Sequence, residues 1–295
     1  MSNTTTTTVT IAEYQGIEHP TWCPGCGDFP ILKCLKEALV QLELPPHRVI
    51  MTSGIGCGSK LPHYMRVNEF NSLHGRSLPI AMGLKLANHE MTVISITGDG
   101  DGYGIGGNHF IHTCRRNPDI VHIAENNQVY GLTKGQYSPT SDLGYMTTTS
   151  PEGTIEAAIN PIALAIAAGA TFVARASAGN PKHMTDVMIK AIDHKGYALV
   201  DILQPCVTYN KKNTYAWYKD RAYVVNDEAG YDPRDKVAAF KKAHEWEEKI
   251  PIGILYQESR PTYEEQVTVL KQGTLLSQGL GHPIDKLERI KQDFV

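Results

Sequence analysis

The chain has 295 residues, 41 % hydrophobic and 20 % charged. That suits one large α/β domain with an appendage, or two modest domains, around a buried core. A formal net charge of −3 leaves no basic stripe for nucleic acid, and no apolar run reaches the roughly 20 residues of a membrane span. The opening "MSNTTTTTVT" lacks the basic and apolar regions of a signal peptide, so residues 1–18 read as a disordered or extended tail. The six cysteines, Cys23, Cys26, Cys34, Cys57, Cys114 and Cys206, fit ligands or catalysts in a reducing cytoplasm better than a disulfide framework.

The first element is "HPTWCPGCGDFP", a Cys-x-x-Cys loop. Such a pair serves a redox disulfide, half a zinc site or half an iron–sulfur site. In "FPILKCLKEALVQLEL" the positions Ile31, Leu32, Leu35, Leu39 and Leu42 recur at helical spacing, and Pro45 and Pro46 stop the helix. "RVIMTSGIGCGS" reads as a buried strand entering a glycine-rich turn, "GRSLPIAMGLKLAN" as a small-residue helix, and "MTVISITGDGDG" as a second strand ending in glycines. A helix over "GNHFIHTCRRN", a strand over "DIVHIAENNQ" and an alanine-dense helix over "NPIALAIAAGA" follow. "TFVARAS" and "YALVDILQPC" close the series as strands. Short apolar strands alternating with helices predict an α/β fold, a mostly parallel sheet with helices on both faces. Its ligands bind in loops at the strands' carboxyl ends, where both glycine turns lie. Past residue 210 the sequence turns aromatic and irregular, with one amphipathic helix in "PRDKVAAFKKAHEWEEK". The expected division is a tail over 1–18, a cofactor domain over 19–210 and a docking extension over 211–295.

"ITGDGDGYGIGGNHF" permits two readings. Gly102, Gly104 and Gly107 fit a dinucleotide fingerprint, with Glu125 placed as a ribose-binding acid. That fingerprint should begin directly after the strand, yet Gly98, Asp99, Gly100 and Asp101 intervene, and an ionised Asp99 would repel a bare pyrophosphate. A cation between them resolves the conflict. Asn126 and Asn127 follow Gly100 after 25 residues, at the next strand's end. Asp99, the side-chain carbonyl of Asn127 and the main-chain carbonyl of Val129 form an oxygen set for Mg²⁺ that also holds phosphates. The glycines admit backbone N–H groups, and the helix opening near Gly106 adds its positive end. The plainer alternative is an aspartate that caps that helix.

The pattern GDG, some 25 residues, then NN is the thiamine diphosphate motif. The longer string "GDGDGYGIGGNHFIHTCRRNPDI…NNQVYGLTKGQ" resembles the β subunits of 2-oxoacid:ferredoxin oxidoreductases, nearest the 2-oxoglutarate type. The resemblance runs from about His19 to Asn210, with a fainter echo in "IPIGILYQ". It implies a [4Fe–4S] cluster held by Cys23, Cys26, Cys57 and Cys206, and a cubane does want four thiolates. The last two follow the first and last strands, so they meet the amino-terminal pair if both strands end at one sheet edge. Zinc stays open, although Cys₄ zinc sites usually use two close pairs and Cys57 and Cys206 stand about 150 residues apart. A thioredoxin-like pair would need a preceding strand, and nothing strand-like precedes Trp22. Cys34 and Cys114 are expected as small buried hydrophobes.

The resemblance further implies that Ile55, Gly56, Cys57, Gly58, His74, Gly75, Arg76, Gly100, Asp101, Gly131 and Leu132 line the cofactor. The implied reaction is CoA-dependent oxidative decarboxylation of a 2-oxoacid, reversible as reductive carboxylation, with electrons leaving through the cluster to ferredoxin. Thiamine chemistry needs a carboxylate on the aminopyrimidine, which comes from a different domain, so an α chain in an α₂β₂ assembly is the expected partner. Lys60 is placed to meet the second carboxylate of 2-oxoglutarate, or is a solvated lysine, and Leu132 to pack on the substrate or the thiazolium. One departure stands out: Gly58 occupies a position where the family pattern has serine. The competing functions are a non-redox thiamine-dependent decarboxylase with structural zinc, and an NAD-dependent dehydrogenase.

Overall fold

In a computed structural model of the chain, residues 8–278, 284–292 and 294 are described; the first seven residues of the threonine tract lie outside them. Helix α1 (Asp28–Gln41) buries Ile31, Leu32, Leu35, Ala38 and Leu39, as its spacing requires. Strands β1 (Val49–Ser53) and β2 (Asn68–Asn71), helix α2 (Ser77–Ala87) and strand β3 (Thr92–Gly98) follow. Helix α3 (Gly107–Arg116) leads to β4 (Val121–Asn126), then to a hairpin of β5 (Val129–Tyr130) and β6 (Gln136–Tyr137). Helix α4 (Pro161–Ala168), strand β7 (Phe172–Ser177), helix α5 (Pro181–Asp193) and strand β8 (Ala198–Leu203) complete the alternation. The remainder contains α6 (Tyr215–Arg221), β9 (Ala222–Val224), α7 (Lys236–Ala243), β10 (Ile250–Gln257), α8 (Tyr263–Gln266) and α9 (Ile284–Gln292).

One sheet runs β2-β1-β3-β4-β8-β7-β10-β9. Every neighbouring pair is parallel except β7 with β10. Alternate side chains feed two cores, one on each face. Ala198, Val200 and Ile202 of β8 join the core that contains residues of α1 and α5, while Leu199 faces that of α3, α4 and α7. The fold is therefore the mostly parallel, doubly covered sheet expected. Because β1, β3, β4 and β8 share a direction, the segments after Ser53, Gly98, Asn126 and Leu203 emerge at one edge.

Three features depart from the sequence reading. Residues 211–295 contribute β9 and β10, and β10 pairs with β7 with Gly253 opposite Arg175, so this segment completes the main sheet. Within the expected tail, Ile11–Tyr14 forms a 3-10 turn, and the fully buried Tyr14 donates its hydroxyl to the Leu44 carbonyl at 2.6 Å. Order thus begins well before residue 19. Finally, β2 and α5 had no counterpart in the predicted elements. Among the described residues no helix is long and apolar enough to cross a membrane.

Candidate functional site

At the carboxyl edge of the sheet, three turns and the hairpin enclose a cleft of about 70 Å³. Ile55, Gly56, Cys57 and Gly58 come from the turn after β1, His74 from the segment before α2, and Gly98, Asp99, Gly100 and Asp101 from the turn after β3. Asn127, Val129, Tyr130, Gly131, Leu132 and Thr133 supply the opposite wall. The turn Gly100–Ile105 winds as a π-helical turn, an irregularity frequent at functional sites. Its first glycine lies under Tyr130, whose ring a Cβ on Gly100 would overlap, so no larger residue fits.

Asp99 is 1 % exposed, and its Oδ2 accepts hydrogen bonds from Ser138 Oγ at 2.5 Å and Thr140 Oγ1 at 2.6 Å. Burial nevertheless outweighs those bonds and pushes its carboxyl up to about 6. A carboxylate so desolvated gains from a cation. Asn127 Oδ1 accepts from the Val129 N–H at 3.1 Å, and the Val129 carbonyl accepts from the Gly131 N–H at 3.1 Å; each oxygen keeps a second lone pair. The expected oxygens thus line the same cleft, Asp99 from one wall and Asn127 and Val129 from the other, in a form that suits a hard cation.

Asp101 acts differently. Its buried carboxylate accepts from the N–H groups of Ile55 (3.2 Å) and Gly75 (2.7 Å), from Ser59 Oγ (3.4 Å) and from His74 Nδ1 (2.6 Å). It therefore ties the β1 turn and the α2 entry to the glycine turn. His74 Nδ1 donates to it, which leaves Nε2 as the free ring nitrogen of a residue lining the cleft. Gly75 is buried behind this contact at φ +73°. Arg76 is not among the lining residues; it is exposed and meets His109 Nε2 at 2.6 Å. Lys60 also lies outside the lining, on the Cys57 side, where its ammonium opposes the upward push on that thiol.

The cysteine-bearing segments are lashed together by hydrogen bonds that sequence spacing could not reveal. Trp22 Nε1 donates to the Cys57 carbonyl at 2.8 Å, the Gly27 N–H to the Pro205 carbonyl at 3.2 Å, and Gln204 Nε2 to Cys26 Sγ at 3.1 Å. The Cys57 and Cys206 sulfurs lie 3.5 and 3.9 Å from where a Cβ on Gly131 would stand. All six cysteines are free thiols, and Cys34 and Cys114 are fully buried away from this group. Burial, then the Asp28 charge, then Cys206, push the Cys57 thiol up to about 11, and burial pushes Cys26 higher still. Thiols held this way become thiolates only for a metal centre. Among the described residues, no three His, Cys, Asp or Glu side chains converge closely enough for a single metal ion. Four cysteines on these segments match in number the thiolates a cubane cluster takes.

Beneath the cysteines, Asp28 and Glu125 are fully buried against each other, with Cys26 and Gln204 beside Asp28. Burial drives both upward and Asp28 raises Glu125 further; two such carboxyls cannot both ionise, so the pair retains a proton. Glu125 also explains Gly58. A Cβ there would lie 2.6 Å from Glu125 Oε2 and 3.0 Å from its Cβ, so the serine of the family pattern has no room. Tyr130, Ser138, Thr140, Trp22 and Asp28 are the residues the sequence reading missed.

The cleft is far smaller than the roughly 300–1,000 Å³ of pockets that engulf a drug-sized ligand. Its glycines, carboxylate and carbonyls fit the diphosphate end of a cofactor with its cation, leaving the rest to be covered from outside.

Comparison with known proteins agrees with this geometry. The family described as "Thiamine pyrophosphate enzyme, C-terminal TPP binding domain" matches residues 52–202, and the family of the C-terminal region of the pyruvate ferredoxin oxidoreductase beta chain matches 206–272. The chain is 47 % identical over 267 residues to 2-oxoacid:ferredoxin oxidoreductase 1, subunit beta, of Aeropyrum pernix, covering 87 % of this chain and 84 % of that one. It is 43 % identical over 188 residues to the 2-oxoglutarate synthase subunit KorB of Methanocaldococcus jannaschii, covering 64 % and 70 %. Among solved structures, the 2-oxoglutarate:ferredoxin oxidoreductase of Magnetococcus marinus with 2-oxoglutarate, coenzyme A and succinyl-CoA bound superposes with a TM-score of 0.88. It is 35 % identical and covers 96 % of both chains. The chain therefore belongs to the β subunits of the 2-oxoacid:ferredoxin oxidoreductases, built on a thiamine diphosphate-binding domain.

Proposed function

We propose that this protein holds the diphosphate end of thiamine diphosphate, its Mg²⁺ and one [4Fe–4S] cluster in a CoA-dependent 2-oxoglutarate:ferredoxin oxidoreductase. An α chain completes the site, in an α₂β₂ assembly that passes electrons to ferredoxin. The observation that carries the reading is the double position of Cys57, which lines the cleft and also faces Cys206 across Gly131. The cofactor supplies an electron sink for decarboxylation, and the cluster a one-electron acceptor.

In this reading the chain's own groups act by holding and orienting. Asp99, Asn127 and the Val129 carbonyl take the cation. Backbone N–H groups of the glycine turns face the phosphates, and Asp101 keeps those turns in register. His74, held by Asp101 through Nδ1, keeps Nε2 free for the bound cofactor. Leu132, 44 % exposed on the cleft wall, offers an apolar surface for substrate methylenes, with Lys60 as the candidate partner for the distal carboxylate. The bound ligands of the Magnetococcus marinus relative support 2-oxoglutarate and coenzyme A as the substrates.

The test is anaerobic purification with the α partner, followed by iron, sulfide and zinc analysis and an EPR spectrum after dithionite reduction. About four irons and four sulfides per β chain, with a reduced-cluster signal, are expected. Zinc without sulfide would overturn the redox reading and leave a simple thiamine-dependent decarboxylase.

A further inference from the structure

Behind Asp99, the loop carrying Thr140 separates the cleft from a second cavity of about 230 Å³. Its floor is Arg175 of β7, set between Ala174 and Ala176 and only 2 % exposed. An arginine keeps its charge when buried, and its five N–H donors need acceptors. This one is poorly served. Nε reaches Asp201 Oδ2 at 3.4 Å and Nη1 reaches the Pro251 carbonyl at 3.5 Å, both at the long limit. Asp201 balances the charge through this buried ion pair, its other oxygen Oδ1 being taken by Tyr103 at 3.0 Å and Asn126 at 3.1 Å. Nη2 has no protein partner among the described residues, and the guanidinium lies 5.5 Å from the Trp246 ring, which also lines the cavity.

The other walls define what would complete that fork. The acid in the lining, Asp142, is taken by Lys212 at 2.6 Å and by Trp246 Nε1 at 3.2 Å. The eight-residue helix α4 starts at the cavity with Asn160 and Pro161, so its positive end adds to the attraction for an anion. Ile159, Ala243 and Trp246 give the cavity an apolar side, and Asn126, Gln128, Thr140 and His244 line the rest with polar groups. A guanidinium edge without a partner, one apolar side and polar groups around it describe a short ligand with a single carboxylate. The volume, below that of drug-sized pockets, limits it to a short chain.

We propose that this cavity is a second ligand site, binding a small aliphatic monocarboxylate whose carboxylate pairs with the Nη edge of Arg175. The proposal stands apart from the thiamine cleft and does not depend on the substrate assigned there.

The probe is pentanoate, which lacks a 2-oxo group, with pentanamide as its neutral counterpart. Each is titrated into the assembled protein by calorimetry and by tryptophan fluorescence, at constant ionic strength. Saturable binding of one pentanoate per chain is expected, with pentanamide at least about tenfold weaker. Ala158, exposed at the rim, provides the control: Ala158→Phe should block the mouth, weaken pentanoate by about tenfold or more, and leave the unfolding temperature and turnover unchanged. Arg175→Met should abolish the preference for the acid over the amide. No saturable binding, equal binding of acid and amide, or undiminished binding by Ala158→Phe would each overturn the proposal.

Discussion

Asp99 offers the sharpest test of the cation site, because its own burial sets the magnitude. Its carboxyl rises from 3.8 to about 6 in the fold, so between those pH values the folded protein holds a proton that the unfolded chain releases. Stability contributed by that proton is complete below about 3.8 and falls as pH rises towards 6. About two pK units at 1.36 kcal/mol each give a loss of about 3 kcal/mol from acid to neutral pH, of which about 2 kcal/mol falls between pH 4.5 and 7.5. Asp99→Asn keeps an oxygen for Ser138 and Thr140 while removing the charge, so the chelated variant should escape this loss. Bound cation with thiamine diphosphate should restore the wild type at neutral pH and leave the variant unmoved. Urea unfolding at pH 4.5 and 7.5, with and without Mg²⁺ and thiamine diphosphate, reads both effects. The difference between the two proteins isolates Asp99, because the Asp28–Glu125 pair contributes equally to each. If Asp99→Asn shows the same loss from pH 4.5 to 7.5, or gains as much from the cofactors, the assignment of Asp99 fails.

Two further perturbations probe the neighbouring contacts. Gly58→Ala forces a Cβ to within 2.6 Å of Glu125 Oε2 and should cost about 1–3 kcal/mol, a few degrees in melting temperature. That cost should shrink in a Glu125→Ala background, and a double-mutant cycle without coupling would remove the clash as the reason for glycine. Lys60→Ala should raise KM for 2-oxoglutarate far more than for 2-oxobutyrate, whereas equal effects in steady-state kinetics would place Lys60 outside the substrate site.

The sequence made the central strands legible because both faces of a parallel sheet are buried, so β1, β3, β4, β7 and β8 read as apolar runs. Strand β2 escaped notice for the opposite reason: its four residues Asn68–Asn71 are all exposed at the sheet edge. In β10 the run "IPIGILYQ" carries Pro251 and Gly253, which argue against an inner strand; Gly253 sits at φ +111° with Asn226 packed against it. Asp99, Asn127, Val129 and Cys57 could be placed because motif spacing and strand ends both pointed to one edge. Ser138, Thr140 and the Asp28–Glu125 pair could not. Their roles arise from contacts between segments dozens of residues apart, and no periodicity encodes such a contact. Arg76 shows the converse limit: adjacency to His74 and Gly75 in sequence did not bring its side chain into the cleft.

The order of the last strands also bears on how the protein is made. β7 pairs with β8 on one side and with β10 on the other, and residues 250–257 are synthesised after both β7 and β8. Until they leave the ribosome, the Phe172–Ser177 edge of a nearly finished sheet stays open, with an unpaired row of backbone donors and acceptors that can recruit a neighbouring chain. The segment that carries β10 is thus the chain's own guard against misassembly. A nascent chain stalled or cut just before Ile250 would hold every cysteine and every glycine turn of the site and still be a substrate for chaperones and proteases.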